Sequence, residues 1–321
     1  MEQINKDFEK YFYLKEKEKD FYTSTNFWSF GRSRGVFGGQ IISQALAAAI
    51  LSIDPNYHIH ARKYDELFEF HVERIRDGGS FASRFVSVKQ DGRNIYKMMC
   101  SFQKEEESLT EHQFEMPEVY PEDHPINMDA DIRDEIIRPI YANIKLYDQV
   151  EMITKFAVPV DPKLCESYIN ILENHTTEGE PRVKTPHSLQ WVKIDEDFSD
   201  NSYQINPAFL ACISDFFITV TIMFPYMTGY NNRKIDRTMG VSLDHSMYFH
   251  KRFRVDDWIL CEVESPRMVG SRGFLNGKFY SKDGTHFATM IQENLNRTDI
   301  LSKDVILEHN FKNLPMENSR L

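Results

Sequence analysis

The sequence predicts an α+β protein of two similar domains in tandem, each an antiparallel sheet wrapped around a central helix. Two observations predict this fold class. Each half of the chain contains an almost wholly apolar helical segment, and several strand-like runs follow each segment. A helix that is apolar on every face has to be covered on all sides, which a curved sheet can do. A length of 321 residues suits two domains of ordinary size.

In the first half, the predicted helix opens with Gly38-Gly39-Gln40 and continues through an alanine-rich stretch to Ile50. Asp54-Pro55-Asn56 then stops it, because proline does not continue a helix. Asp91-Gly92 is a typical hairpin turn between the last two strands. The strand-like runs cover residues 67–74, 81–89 and 95–103.

The second half repeats this layout. Its helix is predicted over residues 208–224 and is stopped by Pro225. Asp283-Gly284 makes the turn that matches Asp91-Gly92. The strand-like runs cover residues 242–249, 258–265, 274–280 and 286–294. One supersecondary unit is therefore used twice.

These patterns divide the chain into five parts. They are a tail at 1–23, an N-terminal domain at 24–108, a linker at 109–186, a C-terminal domain at 187–300 and a second tail at 301–321. The linker region is rich in acidic residues, which is typical of a solvated connector. A helix within residues 131–156 is compatible with the sequence, although the periodicity there is irregular.

Charge and hydropathy exclude two classes of protein. The net charge is −11 and the pI is about 5.5, whereas nucleic-acid binders usually carry a basic surface. The longest apolar run, residues 208–224, is slightly short for a membrane span and is interrupted by Asp215.

Asp215 is the strongest catalytic candidate. It is the only charged residue between Pro207 and Tyr226, and a carboxylate buried among apolar side chains is destabilising unless it is paired or hydrogen-bonded. Such groups cluster at functional sites, although a structural aspartate satisfied by an arginine gives the same pattern. Gln292, an amide in an apolar strand, and Ser242, at the start of a strand, are weaker candidates. A strand edge facing water would explain Gln292 equally well.

Comparison of the two halves indicates one active site per chain. Gln292 and Cys100 each stand eight residues after the turn glycine of their own half. Matching the two helices places Gln44 near Asp215. Only the second half then has a group that can act as a base near neutral pH, so the site is predicted in that half.

Two further patterns carry no predicted chemistry. Gly31-Arg32-Ser33-Arg34-Gly35 fits the nucleophile elbow of serine hydrolases, but no helix starts directly after the serine. The pairs His58/His60 and His245/His250 lack convergent Cys, Asp or Glu at ligand spacing. They are interpreted as core or surface histidines, and neither a metal nor a cofactor is expected.

Several segments match one known family. They are Val36-Phe37-Gly38-Gly39-Gln40, Gln44-Ala45-Leu46, residues 72–81, Ser101-Phe102-Gln103, Ser214-Asp215, residues 242–250, Arg272-Gly273-Phe274 and Gln292-Glu293. With these residues the chain resembles the type II acyl-CoA thioesterases of bacteria and peroxisomes, from about residue 24 to 297. The resemblance implies a tandem hotdog fold and hydrolysis of fatty acyl-CoA to free fatty acid and CoA. It also implies a catalytic set of Asp215, Ser242 and Gln292.

The resemblance carries expectations about location and partners. Peroxisomal members make the final Ser319-Arg320-Leu321 credible as an import signal, so the import receptor is an expected partner. The peroxisome matrix is the expected location, with the cytoplasm as the alternative. Tandem hotdogs expose sheet edges and often pair further, so a homo-oligomer is also expected.

The predicted mechanism is direct attack by a water molecule. Asp215 is the expected base, while Ser242 and Gln292 hold the water. Backbone N–H groups around Gly38 and Gly39 are expected to stabilise the oxyanion. The predicted substrate contacts are Gly38, Gly39, Gln40, Arg267 and Arg272, with Lys278 and Lys282 as further candidates for the CoA phosphates.

One departure from the family leaves two alternatives open. Residues 57–66 stand where the family carries a strand and a Pro-Gly-Asp turn, and these elements are predicted to be shortened or lost. A damaged first domain would favour a catalytically impaired protein that binds acyl-CoA. An enoyl-CoA hydratase of the same fold is the second alternative, although no Asp–His pair on one helix and loop supports it.

Overall fold

The computed structural model describes residues 10–26, 37–53, 57–63, 69–119, 142–146, 150–156, 185–196, 198, 204–215, 218–226 and 235–300. Within these ranges the strands form one thirteen-stranded sheet. The first half contains β1 (Leu14–Glu18), β2 (Phe21–Ser24), α1 (Gly38–Leu51), β3 (Tyr57–Lys63), β4 (Glu69–Asp77), β5 (Phe81–Gln90) and β6 (Arg93–Lys104). The remainder contains β7 (Ala142–Leu146), β8 (Val150–Phe156), β9 (His187–Ile194), α2 (Asn206–Ile213), α3 (Ile218–Met223), a 3-10 turn (Phe224–Tyr226), β10 (Ile235–Phe249), β11 (Ile259–Val269), β12 (Arg272–Ser281) and β13 (His286–Ile300).

The strand order shows how the two halves join. It runs β1-β2-β4-β5-β6-β3-β10-β13-β12-β11-β9-β8-β7, and all neighbouring strands are antiparallel. β3 pairs with β10 through Lys63 and Ser246 and the two residue pairs beside them, so the halves share one sheet. Each half places an apolar helix against its own strands, and the predicted fold class is confirmed.

The two central helices pack directly against each other. In α1, Ala45, Ala47, Ala48 and Ala49 have no exposed surface, and their small side chains let neighbouring elements approach closely. A side chain at Gly39 would lie 2.7 Å from the carbonyl oxygen of Cys212 in α2, which explains the glycine there. In the described part of the chain, no helix is long and apolar enough to cross a membrane.

Both predicted hairpin turns are present. Asp91 and Gly92 have positive φ angles of 50° and 75°, as a two-residue turn between twisted strands requires. Gly284 has a φ of 87° in the matching turn. The predicted strands around these turns agree with β5, β6, β12 and β13 except at their ends.

The single helix predicted over residues 208–224 is wrong, because it is broken at the candidate base. α2 ends at Ile213, and the Ser214 hydroxyl donates a hydrogen bond of 3.0 Å to the carbonyl of Ala211. Such bonding from a serine side chain competes with helix continuation. Asp215 therefore lies in a turn after α2, and α3 starts again at Ile218.

Two expectations about strands are corrected within the described residues. The strand of the first half is not lost, because residues 57–63 form β3, which pairs with both β6 and β10 at the centre of the sheet; residues 64–66 lie outside the described residues. Residues 142–146 and 150–156 are not helical but form β7 and β8 and extend the sheet beyond β9, and residues 131–141 lie outside the described residues. In both cases pairing with a neighbouring strand decides the structure, which irregular local periodicity does not reveal.

Candidate active site

Three elements bring the predicted catalytic residues together. Asp215 follows the C-terminal end of α2, Ser242 lies in β10, and Gln292 lies in the adjacent strand β13. The Ser242 hydroxyl donates to Asp215 Oδ1 at 2.9 Å. The Gln292 side-chain amide donates to Asp215 Oδ1 at 3.0 Å and to Ser242 Oγ at 2.9 Å. The three side chains thus form a closed triangle of hydrogen bonds.

The triangle depends on an irregularity in β10. Ser242 pairs with Asn294 and Asp244 pairs with Glu293, so the register shifts by one residue between them. Such a β-bulge changes which face of the sheet the following side chains occupy. Without it, Ser242 and His245, three positions apart, would point to opposite faces. With it, both side chains point inward and reach Gln292.

His245 is a site residue that the sequence reasoning missed. Its Nδ1 atom forms a short hydrogen bond with Oε1 of Gln292, and its Nε2 atom lies 3.0 Å from the Ser214 hydroxyl. Because an amide oxygen only accepts, Nδ1 carries the proton in this bond. The bond fixes the orientation of the Gln292 amide, so that its NH₂ group faces Asp215 and Ser242. The available signal was the spacing: His245 follows Ser242 by three residues in the same strand-like run.

Gly38 completes the surroundings of the carboxylate. A Cβ atom at this position would lie 2.8 Å from Oδ2 of Asp215, closer than real Cβ contacts. Asp215 is buried, with 7% of its surface exposed, and it faces the N-terminal end of the 14-residue helix α1. The positive end of the helix dipole favours a negative charge here. Each half therefore contributes to the one site.

The other predicted substrate contacts differ in how deeply they are buried and in their bonding partners. Gln40 is fully buried and its side-chain amide donates to the carbonyl of Asn26 at 3.3 Å. Arg267 and Arg272 are exposed at the end of the sheet where β11 turns into β12, and Arg272 pairs with Glu293 at 3.1 Å. Lys278 instead forms an ion pair of 3.1 Å with Glu262.

The corresponding position in the first half has no comparable arrangement. Gln44 is buried in α1 and donates to the carbonyl of Phe12 at 2.7 Å and to Ser24 Oγ at 2.9 Å. The Cys100 thiol lies 3.8 Å from the carbonyl of Arg84. These groups hold the fold together. Across the residues with described positions, no cluster of three His, Cys, Asp or Glu side chains could hold a metal ion.

Comparison with solved structures identifies the class of protein. The fold matches that of an acyl-CoA thioesterase II, TesB2, from Mycobacterium marinum with a TM-score of 0.65 and 24% identity. The match covers 91% of this chain and 98% of that one. The molecule is a tandem hotdog protein.

Sequence comparison then identifies the family. A model described as acyl-CoA thioesterase matches residues 172–295, and one described as acyl-CoA thioesterase N-terminal domain matches residues 28–103. Acyl-coenzyme A thioesterase 8 of Rattus norvegicus is 32% identical over 293 residues, covering 89% of this chain and 87% of that protein. Peroxisomal acyl-coenzyme A thioester hydrolase 1 of Saccharomyces cerevisiae is 25% identical over 307 residues, covering 81% and 85%. The chain belongs to the acyl-CoA thioesterase family, and the predicted enzyme class, a thioester hydrolase, is confirmed.

Proposed function

We propose that this enzyme hydrolyses fatty acyl-CoA by direct attack of a water molecule held by Asp215, Ser242 and Gln292. The observation that carries the proposal is the buried triangle of hydrogen bonds around Asp215 Oδ1. A carboxylate acceptor and two polar side chains within 3.0 Å of one another provide a base and two groups that orient a small polar reactant. The substrate is a fatty acyl-CoA, and the products are the free fatty acid and CoA.

The reaction proceeds in two steps. Asp215 accepts a proton from the water as its oxygen forms a bond to the thioester carbonyl carbon. The tetrahedral intermediate then collapses as the carbon–sulfur bond breaks and CoA leaves as the thiolate, which takes up the proton from Asp215 directly or through solvent. A thiol pKa of about 8.5 makes the thiolate a good leaving group, so no separate acid is needed.

The N-terminal end of α1 supplies the oxyanion site. Gly38 lies against Asp215, and the backbone N–H groups at the start of a helix point outward and carry partial positive charge. We place the developing oxyanion near Gly38 and Gly39. The absence of a side chain at Gly38 also leaves room beside the carboxylate, which an alanine would occupy.

His245 acts as a positioning residue. Its bond to Oε1 of Gln292 keeps the amide NH₂ group directed at Asp215 and Ser242. A reversed amide would present an oxygen to the carboxylate, and two acceptors would face each other. His245 has no role as a base in this mechanism, because its two ring nitrogens bond Gln292 and Ser214.

The mechanism excludes a covalent acyl-enzyme, and a single-turnover experiment tests this. Enzyme in excess over acyl-CoA is quenched at millisecond times, and its intact mass is measured. We expect no acyl adduct at any time, and ¹⁸O from labelled water in the free acid after the first turnover. An acyl adduct on Ser242 or Asp215 that forms and decays with turnover would replace water attack with nucleophilic catalysis.

Two alternatives make different predictions for the same preparation. A catalytically impaired protein would bind acyl-CoA and release no thiol, and a hydratase would add water to enoyl-CoA without releasing thiol. The presence of β3 at the centre of the sheet speaks against a damaged first domain. Thiol release from a chain-length series of acyl-CoA substrates separates the thioesterase from both alternatives, and consumption of an enoyl-CoA without thiol release separates the hydratase from the impaired protein.

We infer that the enzyme works in the peroxisome matrix, with the cytoplasm as the alternative location. Support comes from the sequence Ser319-Arg320-Leu321 and from the yeast relative named as peroxisomal. The tripeptide lies outside the described residues. A fluorescent fusion ending in this tripeptide is expected to enter peroxisomes and to bind the import receptor. The same fusion with Leu321 removed is the control, and equal import of both would contradict the signal.

A homo-oligomer is our expectation for the assembled enzyme. On the outward face of β10, Met239, Val241 and Leu243 are 48%, 45% and 36% exposed and form a row of apolar side chains. Light scattering on the purified chain is expected to give a multiple of 37.8 kDa. Val241→Lys should lower that mass, and a monomeric wild-type chain would contradict the expectation.

A further inference from the structure

Two asparagines beside the triangle are buried without a hydrogen-bond partner. Asn294 has no exposed surface and Asn296 is 2% exposed. In the described part of the chain, neither the side-chain nitrogen nor the side-chain oxygen of either residue finds a partner. Burying an amide in this way is destabilising, and most buried polar groups in proteins are bonded. Such a pair indicates a place where another polar molecule is bound.

Both asparagines lie on β13, on the same inward face as Gln292, and the three side chains form a row along the strand. Gln292, Asn294 and Asn296 alternate with outward residues on β13, so their side chains share one face of the sheet. Asn294 lies opposite Ser242 on β10, and Asn296 lies opposite Gly240, which is exposed. The row thus leads from the reacting atoms to solvent, in steps of about 6.7 Å.

We propose that Asn294 and Asn296 bind the two amide groups of the pantetheine arm of the substrate. The proposal rests on the proposed function, because it takes the thioester to lie at Gln292. Each asparagine side chain offers a donor and an acceptor, which complement the N–H and C=O of a secondary amide. A saturated acyl chain offers neither, so the row favours the CoA side of the thioester.

The length of the row fits the length of the arm. Residue 297 is five positions beyond residue 292, which corresponds to about 17 Å along a strand. An extended pantetheine spans roughly 15 to 18 Å between its sulfur and the first phosphate by standard bond lengths. An arm bound along this row would place the first phosphate just beyond Asn296, near the exposed Gly240.

The test uses three thioesters of the same fatty acid. They are acyl-CoA with two pantetheine amides, an N-acetylcysteamine thioester with one amide, and an ethanethiol thioester with none. Asn294→Leu is expected to lower kcat/KM roughly 3- to 10-fold for the first two and to leave the third unchanged. Asn296→Leu is expected to affect acyl-CoA alone. Equal losses on all three thioesters, or no loss on any, would overturn the proposal.

Two alanine variants and one control variant distinguish loss of the amide from a change in side-chain shape. Leucine has the branched heavy-atom shape of asparagine but is larger, whereas Asn294→Ala and Asn296→Ala open space, so an effect common to both replacements comes from the lost amide. Asn276→Leu is the matched control, because Asn276 lies on β12 and bonds Glu264 instead of facing this row. It should leave the kcat/KM ratio between the three thioesters unchanged. A ratio altered equally by Asn276→Leu would remove the assignment.

A binding measurement separates this proposal from the catalytic one. A thioether analogue of acyl-CoA cannot be hydrolysed, so its dissociation constant does not depend on the mechanism at Asp215. Calorimetry with this analogue should show 3- to 10-fold weaker binding for each asparagine variant. The melting temperature of each ligand-free Leu variant should rise, because each variant removes one unpartnered buried amide. Unchanged binding, or a lower melting temperature for both Leu variants, would assign the asparagines a structural role.

A polar group on the acyl chain of the substrate is the other ligand that could form hydrogen bonds with the two asparagines. Amide or hydroxyl groups on the acyl side would also satisfy Asn294 and Asn296. In that case the variants would lose activity on hydroxyacyl thioesters of CoA and of ethanethiol alike, and would keep full activity on saturated acyl-CoA. That pattern would overturn the assignment to pantetheine.

Discussion

Replacement of Gly38 by alanine tests how closely the two halves cooperate at the site. The new Cβ atom would lie 2.8 Å from Oδ2 of Asp215, whereas ordinary contacts begin at 3.4 Å. The carboxylate therefore has to move by about 0.6 Å to restore normal contact. Its bonds to Ser242 and Gln292, now 2.9 Å and 3.0 Å, would stretch toward the limit of a hydrogen bond.

The expected result is a loss of rate without a loss of fold. A displacement of 1 Å at a catalytic group costs about 100-fold in rate, so we expect kcat to fall by roughly 10- to 100-fold. Alanine is favoured over glycine in a helix interior by about 0.5 to 1 kcal/mol, and since Gly38 is the first residue of α1, this advantage offsets only a small part of the steric strain. The assay is thiol release from saturating acyl-CoA, with the melting temperature measured on the same preparation.

Two other glycines supply controls. A side chain at Gly79 meets nothing within 4 Å, so Gly79→Ala should keep both rate and stability. A side chain at Gly39 would meet the carbonyl oxygen of Cys212 at 2.7 Å, so Gly39→Ala should lower the melting temperature as well as the activity. A Gly38→Ala enzyme with wild-type kcat and an intact fold would refute the packing argument.

Three more changes have defined outcomes. His245→Ala should lower kcat about 10-fold with little change in KM. His245→Asn should restore part of the lost kcat, because the asparagine amide can donate to Gln292. An equal loss of kcat in both variants would contradict the positioning role of His245. Ser242→Ala should lower kcat while Ser242→Thr retains it, because only the hydroxyl is required; steady-state kinetics decides this. Burial opposes ionisation of Glu262, but a hydrogen bond from His187 and the charge of Lys278 outweigh it and lower its pKa from 4.5 to about 2. The lowered pKa means that Glu262 stabilises the fold above about pH 4.5 and loses this effect as pH falls toward 2. Denaturant unfolding should therefore show Glu262→Gln less stable than wild type by about 3 kcal/mol at pH 7, and by progressively less below pH 4.5. A stability difference that does not depend on pH would contradict this prediction.

Much of the fold could be predicted from sequence because its signals are local. Apolar residues on every face of residues 38–50 predict a buried helix, and Asp91-Gly92 and Asp283-Gly284 predict the hairpin turns. Asp215 could be singled out for the same kind of reason, since one carboxylate stands in an apolar run. These features depend on neighbouring residues alone.

The features that were missed depend on distant partners. The break after Ile213 is stabilised by Ser214, which bonds Ala211 locally and His245 in another element. The bulge in β10 exists only in its register against β13, so the inward direction of His245 could not be predicted from alternation along one strand. β3 likewise forms because β6 and β10 lie on either side of it.

The most direct test of the account is the rate of acyl-CoA hydrolysis by Asp215→Asn. This change keeps the size of the side chain and its place beside Gly38, and it removes the base. We expect kcat to fall at least about 100-fold, with the melting temperature and the affinity for a thioether analogue of acyl-CoA nearly unchanged. Hydrolysis at the wild-type rate by a folded Asp215→Asn enzyme would contradict the central claim that Asp215 activates the attacking water.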